Sequence, residues 1–296
     1  MTFSATEAAF EGFRVVRRHP LAIVFWALAH VIFFIAFFGL FAGPLATVMA
    51  TTESLEGTQP SSQELQALMQ SWSGFVALAL PLSLVLGAVL NAAVARSVLR
   101  PAEKAFGYMR LGGDELRVLA VSLLLGIVFF AGTVLLFTVV GVAAGVAGQA
   151  NTGVGILVGV VLGLAAAALL IWLAVRLSLA VPTTFHEKRI APFASFAMTK
   201  GHVLPILGMA VIAFIMSILV SILGTIIALP VTMATGGLEQ LATMDGQSTA
   251  QILQAAGPGL LAWGAVNAIF SALQLAVIYA PFSAAYRDLK GLPQVT

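Results

Sequence analysis

The chain has 296 residues, of which 60% are hydrophobic and 9% are charged, with a net charge of +2 and a mean hydropathy of +1.04. An average soluble domain carries roughly a quarter charged residues and needs polar groups over its exposed surface. The composition therefore excludes an ordinary soluble protein and predicts an all-α polytopic membrane protein. Cysteine is absent from the sequence, which excludes disulfides, thiolate metal sites and cysteine nucleophiles.

Six apolar stretches follow one another along the chain, and each is long enough to cross a bilayer as a helix. A crossing helix needs about 20 apolar residues, and several stretches are longer, which predicts tilt or extension beyond the membrane. We expect one membrane domain over 1–296, with a cytoplasmic amphipathic segment at 1–20 and a cytoplasmic tail at 287–296. The predicted spans are 21–49, 74–99, 117–147, 153–182, 203–234 and 258–286.

The basic residues all lie on one side of these spans. The 14 Lys and Arg residues precede the first span, surround the second and fourth connections, or follow the sixth span. The positive-inside rule then places both termini in the cytoplasm. Because a long apolar run follows a polar N-terminal segment, we expect a retained first span and not a cleaved signal peptide. The very short connection 148–152 predicts a tight hairpin, and connections 51–73 and 236–257 are each predicted to form a short surface helix.

A pair of bulky apolar residues, three positions apart, recurs before spans one, three and five. Such a pair lies on one helical face, and nearby basic residues make each segment resemble a short helix in the cytoplasmic interface. Two hypotheses stay open: three parallel repeats of an interfacial helix and two spans, or three ordinary juxtamembrane anchors. The pairs are Phe10 with Phe13, Phe106 with Met109, and Phe193 with Phe196.

Glycines at intervals of four residues indicate helix faces that allow close packing. Gly155, Gly159 and Gly163 form such a face in span four, and Gly141 and Gly145 form one in span three. We expect these two faces to pack together within the hairpin.

Polar side chains inside the spans are costly and indicate either function or contact between helices. At 1.5 Å per residue, His30 lies roughly 14 Å into span one, near the bilayer centre. Asn91 lies at a similar depth in span two, and Gln274 lies midway along span six. Either the three line a substrate or proton path, or each forms a hydrogen bond that holds the bundle together.

Two arginines lie near the inner ends of spans. Arg176 of span four could bind a lipid phosphate or could extend its charged end to the interface. For Arg96 of span two we expect the charged end to extend to the interface. The four histidines have no metal-ligand spacing, and the sequence contains neither a zincin motif nor a serine-nucleophile elbow. We therefore predict no catalytic residue, no metal, no cofactor and no nucleic-acid partner.

A resemblance lies at the inner ends of the later spans. It rests on Arg176–Pro182, on Phe193–Gly201 and on the closing segment Pro281–Gly291. These segments resemble the membrane domain found beside glycerophosphoryl diester phosphodiesterases and in related bacterial inner-membrane proteins, although Lys290 stands where the family often has Arg. The resemblance implies a multi-pass inner-membrane protein connected with membrane lipids. It does not imply phosphodiesterase activity, which belongs to a separate soluble barrel.

Three functions are compatible with the sequence. The first is a non-enzymatic membrane protein that associates with membrane lipids, with another membrane protein or with a second copy of itself. The alternative is a transporter or lipid translocator with a polar path around His30, Asn91 and Gln274. The third is an intramembrane enzyme, which the absence of catalytic motifs disfavours.

Overall fold

The computed structural model describes residues 3–54, 61–236 and 239–293. Six of the helices in this part of the chain are long and apolar enough to cross a membrane, which confirms an all-α polytopic membrane fold. In chain order, the helices are α1 (Ala5–Ala9), α2 (Glu11–Arg18), α3 (Pro20–Ser54), α4 (Ser62–Leu99), α5 (Gly113–Ala150), α6 (Thr152–Leu177), α7 (Ala180–Glu187), α8 (Ala194–Thr199), α9 (Val203–Thr235) and α10 (Thr249–Leu289), with 3₁₀ turns at Ala105–Tyr108 and Glu239–Met244. The six long apolar helices are α3, α4, α5, α6, α9 and α10.

Each predicted span corresponds to a long helix, but the helix ends differ. The described part of the predicted 51–73 surface helix belongs to the ends of α3 and α4, and residues 55–60 lie outside the described residues. The helix predicted within 236–257 is a 3₁₀ turn followed by the first turns of α10, which Ser248 and Gln251 cap reciprocally. The predicted fourth span is interrupted, because α6 ends at Leu177 and α7 begins at Ala180.

Helix α10 is the central element and packs against α2, α3, α4 and α9. One of its faces carries a small residue at every fourth position, and such residues let neighbouring helices approach closely. The contact with α2 shows how close this approach is, since a Cβ atom on Gly12 would lie 2.5 Å from the Cα atom of Val277. The small residues of this face, all buried, are Gly264, Ala268, Ala272, Ala276, Ala280 and Ala284.

Helices α5 and α6 form the predicted tight hairpin. Asn151 alone separates them, and its side-chain oxygen caps α6. Next to this turn, a Cβ atom on Gly155 would lie 2.6 Å from the Cα atom of Gly148, and one on Gly159 would lie 3.3 Å from the Cβ atom of Ala144. The glycine face of α6 is therefore confirmed at Gly155 and Gly159, which contact Gly148 and Ala144 of α5. The predicted partner face is wrong, because Gly141 and Gly145 of α5, like Gly163 of α6, have open space around them.

Ion pairs and a hydrogen bond from Arg100 to the Phe185 carbonyl of α7 bring the four groups of basic residues to one end of the bundle. Arg287 of α10 pairs with Glu11 of α2 at 3.4 Å, and Lys290 pairs with Glu187 of α7 at 3.1 Å. We call this end, formed by α2, residues 100–112, α7 and the last turns of α10, the basic end. The positive-inside rule predicts that it faces the cytoplasm.

The three segments with paired apolar residues have different structures. The rings of the first pair lie 6.3 Å apart around the start of α2, and those of the third pair lie 6.4 Å apart around the start of α8. The interfacial helix predicted for the second pair is wrong, because Phe106 adopts a left-handed conformation within a 3₁₀ turn. The threefold repeat of the whole chain stays a prediction.

Candidate functional site

The connection between α4 and α5 folds back against the bundle and forms one wall of the candidate site. Phe106, Gly107 and Tyr108 all have positive φ angles, a region that favours glycine. A Cβ atom on Gly107 would also lie 2.6 Å from the Cβ atom of Phe25. The buried indole N–H of Trp26 donates to the Gly107 carbonyl at 2.7 Å, which fixes the turn against α3.

Arg96 lies beneath this connection with 1% of its surface exposed, so the expectation that it extends to the interface is wrong. Its guanidinium pairs with Glu115 of α5 at 2.5 Å, donates to the Tyr108 carbonyl and lies 3.6 Å from a Glu103 oxygen. A buried charge is tolerated when it is paired and hydrogen-bonded. Arg96 therefore joins α4, the connection and α5, and its role is structural.

A cavity of about 570 Å³ opens at the basic end between α2, the α4–α5 connection and α10. We call it the basic cavity. Four cationic side chains line it against one carboxylate, together with a histidine. These residues are Arg18, Arg100, Lys104, Arg287, Glu11 and His19.

The carboxylate of the basic cavity is shared among several arginines. Glu11 lies 2.9 Å from Arg14, 3.4 Å from Arg287 and 3.9 Å from Arg18. Arg100 is held separately, by Asp114 at 3.0 Å and by the Phe185 carbonyl. Arg287 has a second acidic partner, Asp288, at 3.3 Å. Glu11 is thus the one carboxylate in the lining, and two of the four lining cations are paired with aspartates outside it.

The remaining polar residues of the cavity are Lys104 and His19. Lys104 is exposed and forms no ion pair with any residue that the structure describes. The Nδ1 atom of His19 lies 3.3 Å from the Tyr108 hydroxyl. Burial, together with the positive charges of Arg18 and Lys104, lowers the pKa of His19. The positive charge of the cavity therefore comes mainly from its Arg and Lys side chains.

The structure does not bring the three predicted polar residues of the spans together. The Nδ1 atom of His30 lies 2.8 Å from the Trp26 carbonyl of its own helix. Gln274 donates to the Ser217 carbonyl of α9 at 3.3 Å, a contact between helices of the kind that holds a bundle together. Asn91 lines a different cavity, described below. A transport path through these residues stays a prediction.

Arg176 lies apart from the basic cavity. It donates to the Thr199 hydroxyl of α8 at 3.1 Å, and its guanidinium lies 4.8 Å from the centre of the Phe196 ring. Stacking and hydrogen bonding of this kind are characteristic of arginine. Arg176 thus connects the end of α6 to α8, and lipid phosphate binding by this residue stays a prediction.

In the sequence, Arg18, Arg100 and Lys104 belong to the 14 basic residues that indicate orientation, and no local pattern assigns them a further role. Their convergence depends on which spans are neighbours, and hydropathy does not determine this. Among the residues that the structure describes, no group of three or more His, Asp or Glu side chains could hold a metal ion.

Comparison of the chain with family models, with curated proteins and with solved structures finds no match. The resemblance to the membrane domain found beside glycerophosphoryl diester phosphodiesterases therefore stays a prediction.

Proposed function

We propose that this protein acts by binding and not by catalysis, and that it binds the phosphate group of an anionic membrane lipid in the basic cavity. The observation that carries the proposal is the lining of the cavity, which contains four cations and one carboxylate. Aspartates outside the lining pair with Arg100 and Arg287, whereas Lys104 has no acidic partner among the described residues. If the basic end faces the cytoplasm, the ligand comes from the leaflet whose surface potential is negative because of its anionic lipids.

The position of the cavity along the helices suits a lipid head group. His19 directly precedes the first residue of α3, and Pro101 follows closely after the last residue of α4. The cavity therefore lies at the level where two apolar spans begin. Phe106 and Leu111, on the connection that forms its wall, are strongly exposed apolar residues. A lipid phosphate at this level could reach the cavity while its acyl chains stay in the bilayer.

The side chains that line the cavity suit phosphate chemically. Guanidinium groups bind phosphate oxygens with paired, charge-assisted hydrogen bonds, and a lysine adds a mobile point charge. Arg18 and Arg287 are partly neutralised by Glu11, whereas Lys104 is exposed and has no acidic partner among the described residues. Lys104 is therefore the residue whose removal tests lipid binding with the least disturbance of the fold.

The test compares lipids that differ only in the head group. Binding of phosphatidylglycerol and phosphatidylcholine with identical acyl chains is measured by native mass spectrometry of the detergent-solubilised protein. A basic residue near an anionic surface contributes about 1 kcal/mol. Lys104→Gln should therefore weaken phosphatidylglycerol binding about fivefold, and Lys200→Gln, an exposed lysine outside the cavity, should not.

Three results would contradict the proposal. Equal affinity for both lipids would mean that the net negative charge of the head group is not recognised, since phosphatidylcholine carries the same phosphate but no net charge. Equal effects of the Lys104 and Lys200 substitutions would mean that only the general charge of the basic end matters. Inorganic phosphate provides a further arm: if it displaces the lipid at micromolar concentration, the site recognises a free anion and not a lipid.

A further inference from the structure

A second cavity, of about 260 Å³, lies deeper in the bundle between α4, α5, α6, α7 and α10. We call it the inner cavity. Asn91 lies eight residues before the end of α4 at Leu99, so at 1.5 Å per residue it is about 12 Å inside that end. Tyr279 and Ser283 face it from α10, one helical turn apart. The inner cavity is therefore within the spanning region and shares no lining residue with the basic cavity.

The lining of the inner cavity is mainly apolar. None of its lining residues in the described part of the chain is charged. An ionic group would lose its hydration there without gaining a partner, so a charged ligand is disfavoured. The apolar side chains of the lining include Leu125, Phe129, Leu177, Val181 and Phe282.

Three polar groups in this cavity have no protein partner. The Oδ1 atom of Asn91 is buried and accepts no hydrogen bond. The hydroxyl groups of Tyr279 and Ser283 also form no hydrogen bond with any residue that the structure describes. Buried polar groups in native proteins are normally hydrogen-bonded. The cavity therefore offers an acceptor and two hydroxyl groups to a bound molecule.

The inner cavity reaches the outer surface of the bundle beside Tyr279. Tyr279 is 43% exposed on a helix that crosses the membrane, whereas Ser283 is only 3% exposed. The polar groups thus extend from the lipid-facing surface into the interior. A molecule dissolved in the bilayer could enter laterally, without passing through water.

We propose that the inner cavity binds an uncharged, lipid-like molecule whose head group carries a hydroxyl or an N–H donor. The donor pairs with Asn91, and the hydroxyl groups of Tyr279 and Ser283 complete the hydrogen bonds of the head group. Sites for drug-sized ligands measure about 300–1,000 Å³, so the 260 Å³ cavity takes the head group while the chain extends past Tyr279 into the bilayer. This site is independent of the proposed phosphate site.

The test uses three molecules that share one acyl chain. A photoactivatable monooleoylglycerol labels the protein in phosphatidylcholine nanodiscs, and unlabelled competitors are added. Monooleoylglycerol supplies hydroxyl donors, methyl oleate supplies none, and oleoyl lysophosphatidic acid adds a charge. We expect saturable labelling at Leu125–Phe129 and Tyr279–Ser283, with monooleoylglycerol competing at about tenfold lower concentration than either of the others.

Variants then assign the interaction to Asn91. Asn91→Leu should weaken saturable labelling about tenfold. The matched control is Asn267→Leu, because Asn267 also lies in a span but donates to the Trp263 carbonyl of its own helix. Tyr279→Phe keeps the ring and should weaken labelling by a smaller factor, which provides a second test if the Asn91 variant does not fold.

The competition series also gives the outcomes that overturn the proposal. Non-saturable labelling would mean general contact with the bilayer. Equal competition by methyl oleate would mean that the polar groups are satisfied by water and select nothing. Equal effects of the Asn91 and Asn267 substitutions would mean that the loss reflects folding. None of these outcomes depends on phosphatidylglycerol binding, so this proposal and the proposed function can fail separately.

Discussion

Removal of Glu115 should destabilise the protein by about 3 kcal/mol. Loss of one partner from a buried ion pair costs about 3–5 kcal/mol, because it leaves the other charge buried and unpaired. We expect the lower end of this range for Glu115→Leu. Arg96 would retain the Tyr108 carbonyl and the Glu103 carboxylate, whose oxygen lies 3.6 Å from its Nε atom.

The assay is reversible unfolding by sodium dodecyl sulfate in dodecylmaltoside micelles, followed by far-ultraviolet circular dichroism. The matched control is Arg117→Gln, because Arg117 pairs with Asp114 at 2.9 Å on the same helix but is 36% exposed. An exposed ion pair contributes about 0–1 kcal/mol. The Arg117 variant should therefore unfold close to the wild type.

A double variant separates the ion pair from simple loss of packing. Arg96→Met combined with Glu115→Leu removes both buried charges, and apolar replacement of a buried pair is often neutral. The double variant should therefore be more stable than Glu115→Leu alone by at least about 1 kcal/mol. Two results would show that the buried pair does not hold the connection in place. One is a loss of unfolding free energy for Glu115→Leu that is no larger than for Arg117→Gln. The other is additivity of the Arg96→Met and Glu115→Leu effects in the double variant.

Two further predictions concern the N-terminal segment. Gly12→Ala should destabilise the protein by about 1–3 kcal/mol in the same assay, since the added Cβ atom would lie 2.5 Å from the Val277 Cα atom. The control Gly39→Ala, at a glycine with open space around it, should be neutral or stabilising. Equal effects of the two substitutions would contradict the close contact of α2 with α10. The pKa of His19 is lowered in the folded state. Stability that is present above the ordinary histidine pKa of about 6.5 should therefore be lost as the pH falls through the lower folded pKa. His19→Gln should remove this part of the acid sensitivity, and unchanged acid unfolding of the variant would contradict the pKa shift.

The spans and the common side of the basic residues could be predicted from sequence, because apolar length and charge are local properties of the chain. The start of α10 at Thr249, before the predicted span at 258, could also be predicted from the sequence. Ser248 and Gln251 have the spacing of a capping box, and the structure contains one. Hydropathy alone does not locate this helix start, because helical hydrogen bonding continues beyond the apolar stretch wherever the chain allows it.

Packing was less predictable, as α10 and Arg96 illustrate. The alanines from Ala268 to Ala284 have the same four-residue spacing as the glycines of α5 and α6, yet alanine is common in any apolar helix and attracts less attention. Arg96 could not be assigned, because an arginine near a span end is buried or exposed according to the neighbouring elements. Its partner Glu115 lies in another helix, and the left-handed turn between them follows no helical periodicity.

The distribution of carboxylates at the basic end distinguishes structural cations from those available for binding. Arg96, Arg100 and Arg287 each have an acidic partner within 3.6 Å. Orientation in the membrane needs only the positive charges, so these acidic residues serve the fold, where buried cations would otherwise be unpaired. Lys104 lies close enough to His19 to lower its pKa, yet it forms no ion pair with a described carboxylate, since the neighbouring Glu103 pairs with Arg96 and Arg110. Within the lining of the basic cavity, Lys104 is therefore the cation without a described acidic partner, and the proposed anionic ligand would supply one.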